Sequence, residues 1–501
     1  MSLTTVVDTQ QMDTSQPGGV KRIPIVKRHY DAAQTTRHNS KHWLNATGDD
    51  ANTLISPALA ILRNRCRYEI RNNSYANGMI NSLATDVVGN AGFPTLQVMT
   101  DNDGFNSQVE GGFGEWAMTC DAAGRMTAGD MLRLAVYQFV ESGEALFVKQ
   151  YMADGYRLRM LEPDYLQTPW SMTETETMSD GIEVGSYGEP VRYYISKSHP
   201  GDMRNYKLIS DYTTVPADRV IHLYRIDRPG QLRGVPWMTP ALPLFAQLRR
   251  YTASVLDAAE TAANFAGVIY TDSTDLDPVD VDTLDTIEIE RNSLMSLPAQ
   301  WQLQQLKAEQ PASTYAEFKK EIINEIARCL CMPFNIAAAN SSGYNYSSGK
   351  LDRQVYWGFI RWIQSLLANH FLDVILRDYI REATMVRALP KVLNGEVSWR
   401  WIWSGPKHAD PQKEATGQAT RLANGTVSLI EECAEEGRDW EEVLTNRARV
   451  EKKKAELGLL PVVSEQKPQE PEDETNEDQD NEDQDNKDSD EDEPVNAKSD
   501  S

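Results

Sequence analysis

The stretch "ANSSGYNYSSGKLDRQ", residues 339 to 354, brings glycine, serine and lysine together just ahead of a helical pattern. Those residue types can hold phosphate. A phosphate loop needs glycine, four residues, then Gly-Lys and a hydroxyl, so that the lysine reaches the β/γ-phosphates while the hydroxyl binds magnesium. Here five residues separate Gly343 from Gly349, and Lys350 is followed by Leu351. Both requirements fail, and the segment in front is a helical pattern ended by Pro333 instead of a buried strand. Ser347 and Lys350 also have the S-x-x-K spacing of a serine nucleophile, but no S-D-N or K-T-G follows. A serine at a helix start is far more often a cap.

The other candidate chemistries are weaker. Cys329 and Cys331 form a C-x-C at a helix end, where neighbours do not share a face, and with no His or Cys close by they read as buried thiols, not zinc ligands. The acidic run from Asp272 to Glu290 lacks the sharp-turn glycine of a calcium loop and reads as a solvated or partner-facing surface. The seven histidines form no H-E-x-x-H pair, and no G-x-S-x-G occurs. No residue reads as catalytic, and no metal or cofactor is expected.

The elements that must position these residues belong to a chain of 501 residues with 40% hydrophobic content, enough for a large core divided into several units. The five cysteines are odd in number and scattered, so a disulfide framework is not expected and a reducing compartment is. No signal-peptide pattern opens the chain and no run of about 18 apolar residues follows, so no membrane segment is expected. The net charge of -24, taken alone, argues against a nucleic-acid partner. Its distribution changes that: residues 464 to 501 hold 17 acidic and 3 basic residues, or -14, which leaves -10 for the rest. A tail of that composition cannot bury enough apolar surface to order itself.

Residues 1 to 50 read as a polar arm with a basic patch. From Thr53 the pattern is helical, with a second helix ended by the cluster Gly89 to Gly92. Between 128 and 226, "DMLRLAVYQFVESGEALFVKQYM", "YRLRMLEPDYLQ", "PVRYYIS" and "DRVIHLYR" mix helix and strand, the signature of an α+β body with a small antiparallel sheet. Residues 241 to 266 predict a long helix opened by Pro240, and 267 to 312 an acidic insert with short strands, "SLMSLP" and "WQLQQL". Residues 313 to 332 predict a second helix with Ser313 near its cap and Pro333 as its stop. A loop follows, then a helix from about Gly349 to Glu382, with Val355, Phe359, Trp362, Ile363 and Leu366 in register. Two or three short helices come after 400, one of them capped by Asp439. Long helices around a compact insert suggest packing against copies of the same chain.

Four segments carry a family likeness: "RYEIRNNSYANGMINSLATDVVGNAGF" (67 to 93), "HLYRIDRPGQLRGVPWMTPAL" (222 to 242), "NYSSGKLDRQVYW" (345 to 357) and "WIWSGPKHADPQKEATGQATRLANGTVSLIEECAEEGRDWEEVL" (401 to 444). In this order the chain resembles the lambda-like portal proteins of tailed bacteriophages, over roughly residues 50 to 460. The resemblance implies a portal-type α+β subunit of a ring, usually a dodecamer: arm 1–50, α+β wing 51–235, stem helix 236–266, small α/β clip 267–312, second stem helix 313–332, tunnel loop 333–348, long wing helix and return 349–400, helical crown 401–463 and acidic tail 464–501. It implies a non-enzymatic virion component, made in the host cytoplasm, that passes double-stranded DNA without reading its sequence. The partners implied are the large terminase subunit, head-completion or connector proteins, and a capsid or scaffold protein. The channel candidates are Asn340, Ser341, Ser342, Gly343, Tyr344, Asn345, Tyr346 and Lys350, with Lys319 and Lys320 as further basic groups. A catalytic motor or nuclease, or a ring-forming adaptor without DNA passage, is the alternative.

Overall fold

The structure, a computed structural model of the chain, describes residues 36–172 except 38, 177–202, 211–264, 268–271, 301–304, 312–386, 397–405, 411–435 and 438–458, with 175 and 389. The acidic tail, the arm before 36, the segment "SLMSLP" and the acidic run after Thr271 lie outside the described residues.

Two helices open the fold. Helix α1 (Ala51–Asn72) starts at Asp50, whose carboxylate accepts from the backbone N–H of Asn52 at 2.9 Å and Thr53 at 3.3 Å. Extended Asn73 ends it and at once caps α2 (Ser74–Val88), accepting from the N–H of Tyr75. Gly89 closes α2 in the left-handed region (φ +81°), as the Gly89 to Gly92 cluster predicts. Strand β1 (Thr95–Met99) and α3 (Asp103–Thr119) follow, then α4 (Ala128–Glu141), held by a capping box between Thr127 and Asp130.

The body contains more than one small sheet. β2 (Glu144–Met152) pairs antiparallel with β3 (Gly155–Leu161) on one side, Leu146 facing Leu161. After β4 (Met178–Ser179), β5 (Ile182–Val184), β6 (Pro190–Ser196) and β7 (Tyr212–Pro216), which form a separate four-stranded antiparallel sheet, β8 (Val220–Tyr224) returns to the other side of β2. Two cores match these sheets. The larger joins α2, α4 and the helices downstream, and the smaller gathers Leu146, Val148, Leu161, Ile182, Tyr193 and Leu232.

Helix α5 (Leu242–Asn264) occupies the stretch predicted for 241 to 266. The described part of the insert is an antiparallel pair, β9 (Val268–Thr271) with β10 (Trp301–Gln304). Helix α6 (Ala312–Arg328) is shorter than expected: it contains Ser313 and ends at Arg328, and Pro333 instead heads a one-turn helix α7 (Phe334–Ala337). The long helix is continuous but not uniform. Helix α8 (Tyr346–Leu367) passes through a π-helical turn at Ala368–Leu372 into α9 (Asp373–Met385). Strand β11 (Ser398–Ile402) pairs antiparallel with β1, and Trp399 and Trp401 both donate their indole N–H to one oxygen of Asp373, at 2.7 and 2.9 Å. Helices α10 (Pro411–Ala423) and α11 (Leu429–Glu435) complete this unit. A second unit holds α12 (Trp440–Glu456), capped by the Asp439 carboxylate as expected.

The segment "RPGQLRGVP" organises the body. Glu144, at the first position of β2, is fully buried, and around it stand buried Arg63 of α1, Arg233 and His222 of β8. Arg233 donates to its carboxylate at 2.5 and 2.9 Å, His222 Nε2 lies at 2.9 Å and the Gly234 N–H donates at 2.8 Å; Arg63 forms a further ion pair with it. The same Arg233 donates to the carbonyls of Asp180 at 2.8 Å and Pro163 at 3.1 Å, so one side chain ties the four-stranded sheet to the three-stranded one. Gly143 and Gly234 make the close approach that this needs: a Cβ on Gly234 would stand 2.2 Å from the Gly143 carbonyl oxygen.

Burial alone would raise the Glu144 pKa, but Arg233, Arg63 and His222 hold it well below the usual carboxylate value of 4.5. A depressed carboxylate contributes stability that is present above its unfolded pKa and is lost as pH falls through the folded value. The wild-type melting temperature should therefore fall more steeply below about pH 4.5 than that of Glu144→Gln. At neutral pH Glu144→Gln should cost about 3–5 kcal/mol, because two guanidiniums stay buried with the carboxylate gone. Gly234→Ala should cost about 1–3 kcal/mol through overpacking against backbone. Thermal melts followed by tryptophan fluorescence check both, and a melt unchanged within about 0.5 kcal/mol removes the central role of the cluster.

A polar loop between two anchored helix ends

The residues singled out by sequence lie between the end of α6 and the first turn of α8. Three apolar positions hold the near side: Leu330, Met332 and Phe334 are buried in the larger core. Ala337 is also buried, and Ala338 packs against the same core. The chain then turns through Ala339, a non-glycine residue at φ +50°, and Asn340, whose N–H donates to the Asn335 carbonyl at 3.1 Å.

Asn340, Ser341, Ser342, Gly343 and Asn345 are all exposed. Part of their polarity is spent on the loop itself: the Asn340 side-chain oxygen accepts from the N–H of Ser342 at 2.9 Å and from its hydroxyl at 2.6 Å. Gly343 adopts φ +81°, with open space where a Cβ would be, so backbone conformation and not crowding requires glycine there. Tyr344 turns inward, half-buried against the larger core, and its phenol pKa is raised by that burial and by Asp352. Asn345 caps α8, accepting from the Ser348 N–H at 2.7 Å. This corrects the expectation of a serine cap: Ser347 lies in the first turn, exposed, as is Lys350. The side chain of Tyr346 lies outside the described residues.

The basic candidates divide. Lys319 sits over the rings of Tyr75 and Tyr315, 5.4 and 5.8 Å from their centroids, and Lys320 over Phe334 at 5.6 Å. Both ammoniums thus brace the packing behind the loop. On the far side, a cleft of about 420 Å³ opens between α2, α7 and α8, lined by Asn81, Asp86, Ile336, Arg353, Tyr356 and Trp357. In it the Tyr356 hydroxyl donates to Asp86 at 3.1 Å, and burial raises the pKa of that carboxyl.

Cys329 and Cys331 are free and half-buried, less enclosed than the sequence predicts. Burial pushes Cys329 up to about 12, and its Sγ lies 3.0 Å from the Ile326 carbonyl. Sequence reading missed one trio, Glu162, Asp164 and His199, whose ligand atoms lie within 4.8 Å of one another. A cation already stands there: Arg67 reaches Asp164 at 2.6 Å and Glu162 at 3.6 Å, which makes the trio an ion-pair network. The loop offers neutral hydrogen-bonding groups on a short tether; among the described residues it brings no nucleophile to a base.

The family model described as phage portal protein, lambda family, matches residues 36–364. A probable portal protein of Halomonas phage phiHAP-1 is 24% identical over 459 residues, spanning 86% of this chain and 88% of the relative. Portal protein B of Escherichia phage lambda is 19% identical over 450 residues, spanning 78% of this chain and 83% of the relative. Among solved structures, a chain in the neck of a native GTA particle computed with C12 symmetry has a TM-score of 0.45 and 14% identity, covering 74% of this chain and 92% of that one. No described helix is long and apolar enough to cross a membrane. With more than half of its length matched by the family model, the chain belongs to the lambda family of phage portal proteins, structural and non-enzymatic components of the portal vertex of the virion.

Proposed function

We propose that twelve copies of this chain form a ring at one capsid vertex, and that residues 339–345 of each copy project into its central channel. Double-stranded DNA enters and leaves by that channel. The observation that carries this reading is the loop itself: exposed neutral amides and hydroxyls on a segment fastened to the core at Ala338 and Tyr344. Such groups meet a phosphate backbone through weak, sequence-independent hydrogen bonds. Lysines or arginines in their place would create attractive wells that a translocating motor must pull DNA out of. The net charge of -10 outside residues 464–501 suits a conduit that does not grip.

In this reading residues 51–235 are the wing, α5 and α6 the stem and 267–312 the clip, where the large terminase subunit and later the head-completion proteins dock. Residues 401–463 are the crown, which faces the capsid interior and its scaffold.

Electron microscopy of the purified protein should show rings with an open centre wide enough for duplex DNA, about 20 Å. Rings without such an opening favour an adaptor that passes no DNA. The double variant S341D/S342D should fold and assemble as wild type, since exposed substitutions shift stability by no more than about 0.5 kcal/mol. Its added carboxylates face phosphates at every passage, so DNA packaged per procapsid should fall severalfold. Unchanged packaging takes the loop out of the channel.

A further inference from the structure

Helix α6 turns an acidic face away from the protein. Ile322, Ile323, Ile326 and Ala327 point into the core. Glu317, Glu321 and Glu325, spaced four residues apart, lie on the opposite side and are exposed. Among the described residues none of the three meets a basic group of its own chain. Like charges at this spacing repel, by about 0.2–0.5 kcal/mol per pair, so a stripe of three is unfavourable until something basic covers it. Phe318, 44% exposed, borders the stripe. Lys320 flanks it but is turned onto Phe334, and Arg328 ends it.

Helix α8 has the matching face. Tyr356, Ile360, Ile363 and Leu367 are buried. The opposite side presents Leu351 (64% exposed), Val355 (62%), Gly358 and Trp362 (41%), an apolar stripe at i, i+4, i+7 and i+11. Lys350 and Arg361 run along its edge, exposed and without an acidic partner among the described residues. Arg353 lies on the cleft side near Asp86, and Asp352 is half-buried. The charged stripes are of similar length, a little over two turns or about 12 Å on α6 and about three turns or about 16 Å on α8.

We infer that the acidic face of α6 in one copy packs against the basic and apolar face of α8 in the next. The inference rests on the ring reading above and names the surfaces that close the ring. A head-to-tail ring needs two different faces on the same chain, complementary to each other, and these two are complementary in charge while each leaves apolar surface exposed. The contact covers Leu351, Val355 and Trp362 with Phe318 and the aliphatic parts of the glutamates. It also sets successive loops side by side, because α6 leads into the loop and α8 leads out of it. Lys350 then belongs to the contact between copies and not to the channel wall.

Two charge-reversed proteins test this. One carries E317K, E321K and E325K; the other carries K350E and R361E. All these positions are exposed, so both should remain folded by circular dichroism, yet each alone places like charges across every contact. Ring yield by size-exclusion chromatography and electron microscopy should fall on the order of tenfold or more for each. Mixed in equal amounts, the two should form rings again, with the variants alternating, because each one's altered face now meets its opposite on the other. Normal rings from the α6 variant alone overturn the inference, and a changed DNA retention in those rings assigns the glutamates to the channel wall. Failure of the mixture to form rings, from folded single variants, shows that the two faces do not meet and overturns it too. A wild type that stays monomeric removes the ring reading itself, an outcome distinct from wild-type rings that tolerate the reversals.

Discussion

A carboxylate with no access to water, shared by two guanidiniums, an imidazole and a backbone N–H, sits where α1, β2, β8 and the segment after β8 converge. Glu144 cannot be left alone there, because an unpaired buried charge is among the costliest things a fold can contain. Each partner therefore has to arrive in register: Arg63 fixes the rotation of α1, His222 that of β8, and Gly234 the path of the chain toward α5. Arg233 extends the constraint to the second sheet through the Pro163 and Asp180 carbonyls. Hydrophobic burial supplies most of the driving force for the two cores, but it is nearly blind to their mutual orientation. The charge cluster sets that orientation, and α5, which starts eight residues after Gly234, inherits it.

Much of the architecture is legible from residue order because local rules and tertiary demands agree. Gly89 ends α2, "PVRYYIS" coincides with β6, and Asp439 caps α12. Legibility ends where a partner is distant. The pairing of β1 with β11 joins segments about 300 residues apart, and no property of "TLQVM" names "SWRWI" as its mate. Helix α3 is obscured in the sequence by Gly104, Gly111, Gly112 and Gly114, each a poor helix former, and no element is predicted there from sequence. Its apolar positions Phe105, Val109, Phe113 and Trp116 keep a helical period, and a Cβ at Gly112 would stand 2.3 Å from the Tyr379 hydroxyl, which would have to move aside. Glu144 itself, in "ESGEALF", looks like a turn acid; only the fold brings its partners to it.

The loop shows the same division. Its exposure, polarity and glycine are written in its composition, as is the absence of a phosphate-binding pattern. Its anchoring is not: the one-turn helix α7 after Pro333 rests on burial of Phe334 and Ala337, and neither the inward turn of Tyr344 nor the choice of Asn345 over Ser347 as cap follows from composition. Side chains that polarity alone would offer to a ligand are partly committed to neighbours within the loop, as the Asn340 to Ser342 bonds show.

Anchors at Ala338 and Tyr344 leave five residues between them, and that number is a mechanical limit. Six links of extended chain reach about 20 Å in contour, so a tip folded back on itself travels about 10 Å at most. Within that range the tip can be dragged and released while the helices behind it stay still. Beyond it, any further pull has to strip Tyr344 or Phe334 from the core. The loop is a leash of fixed length, soft up to its end and then as stiff as the body it is tied to.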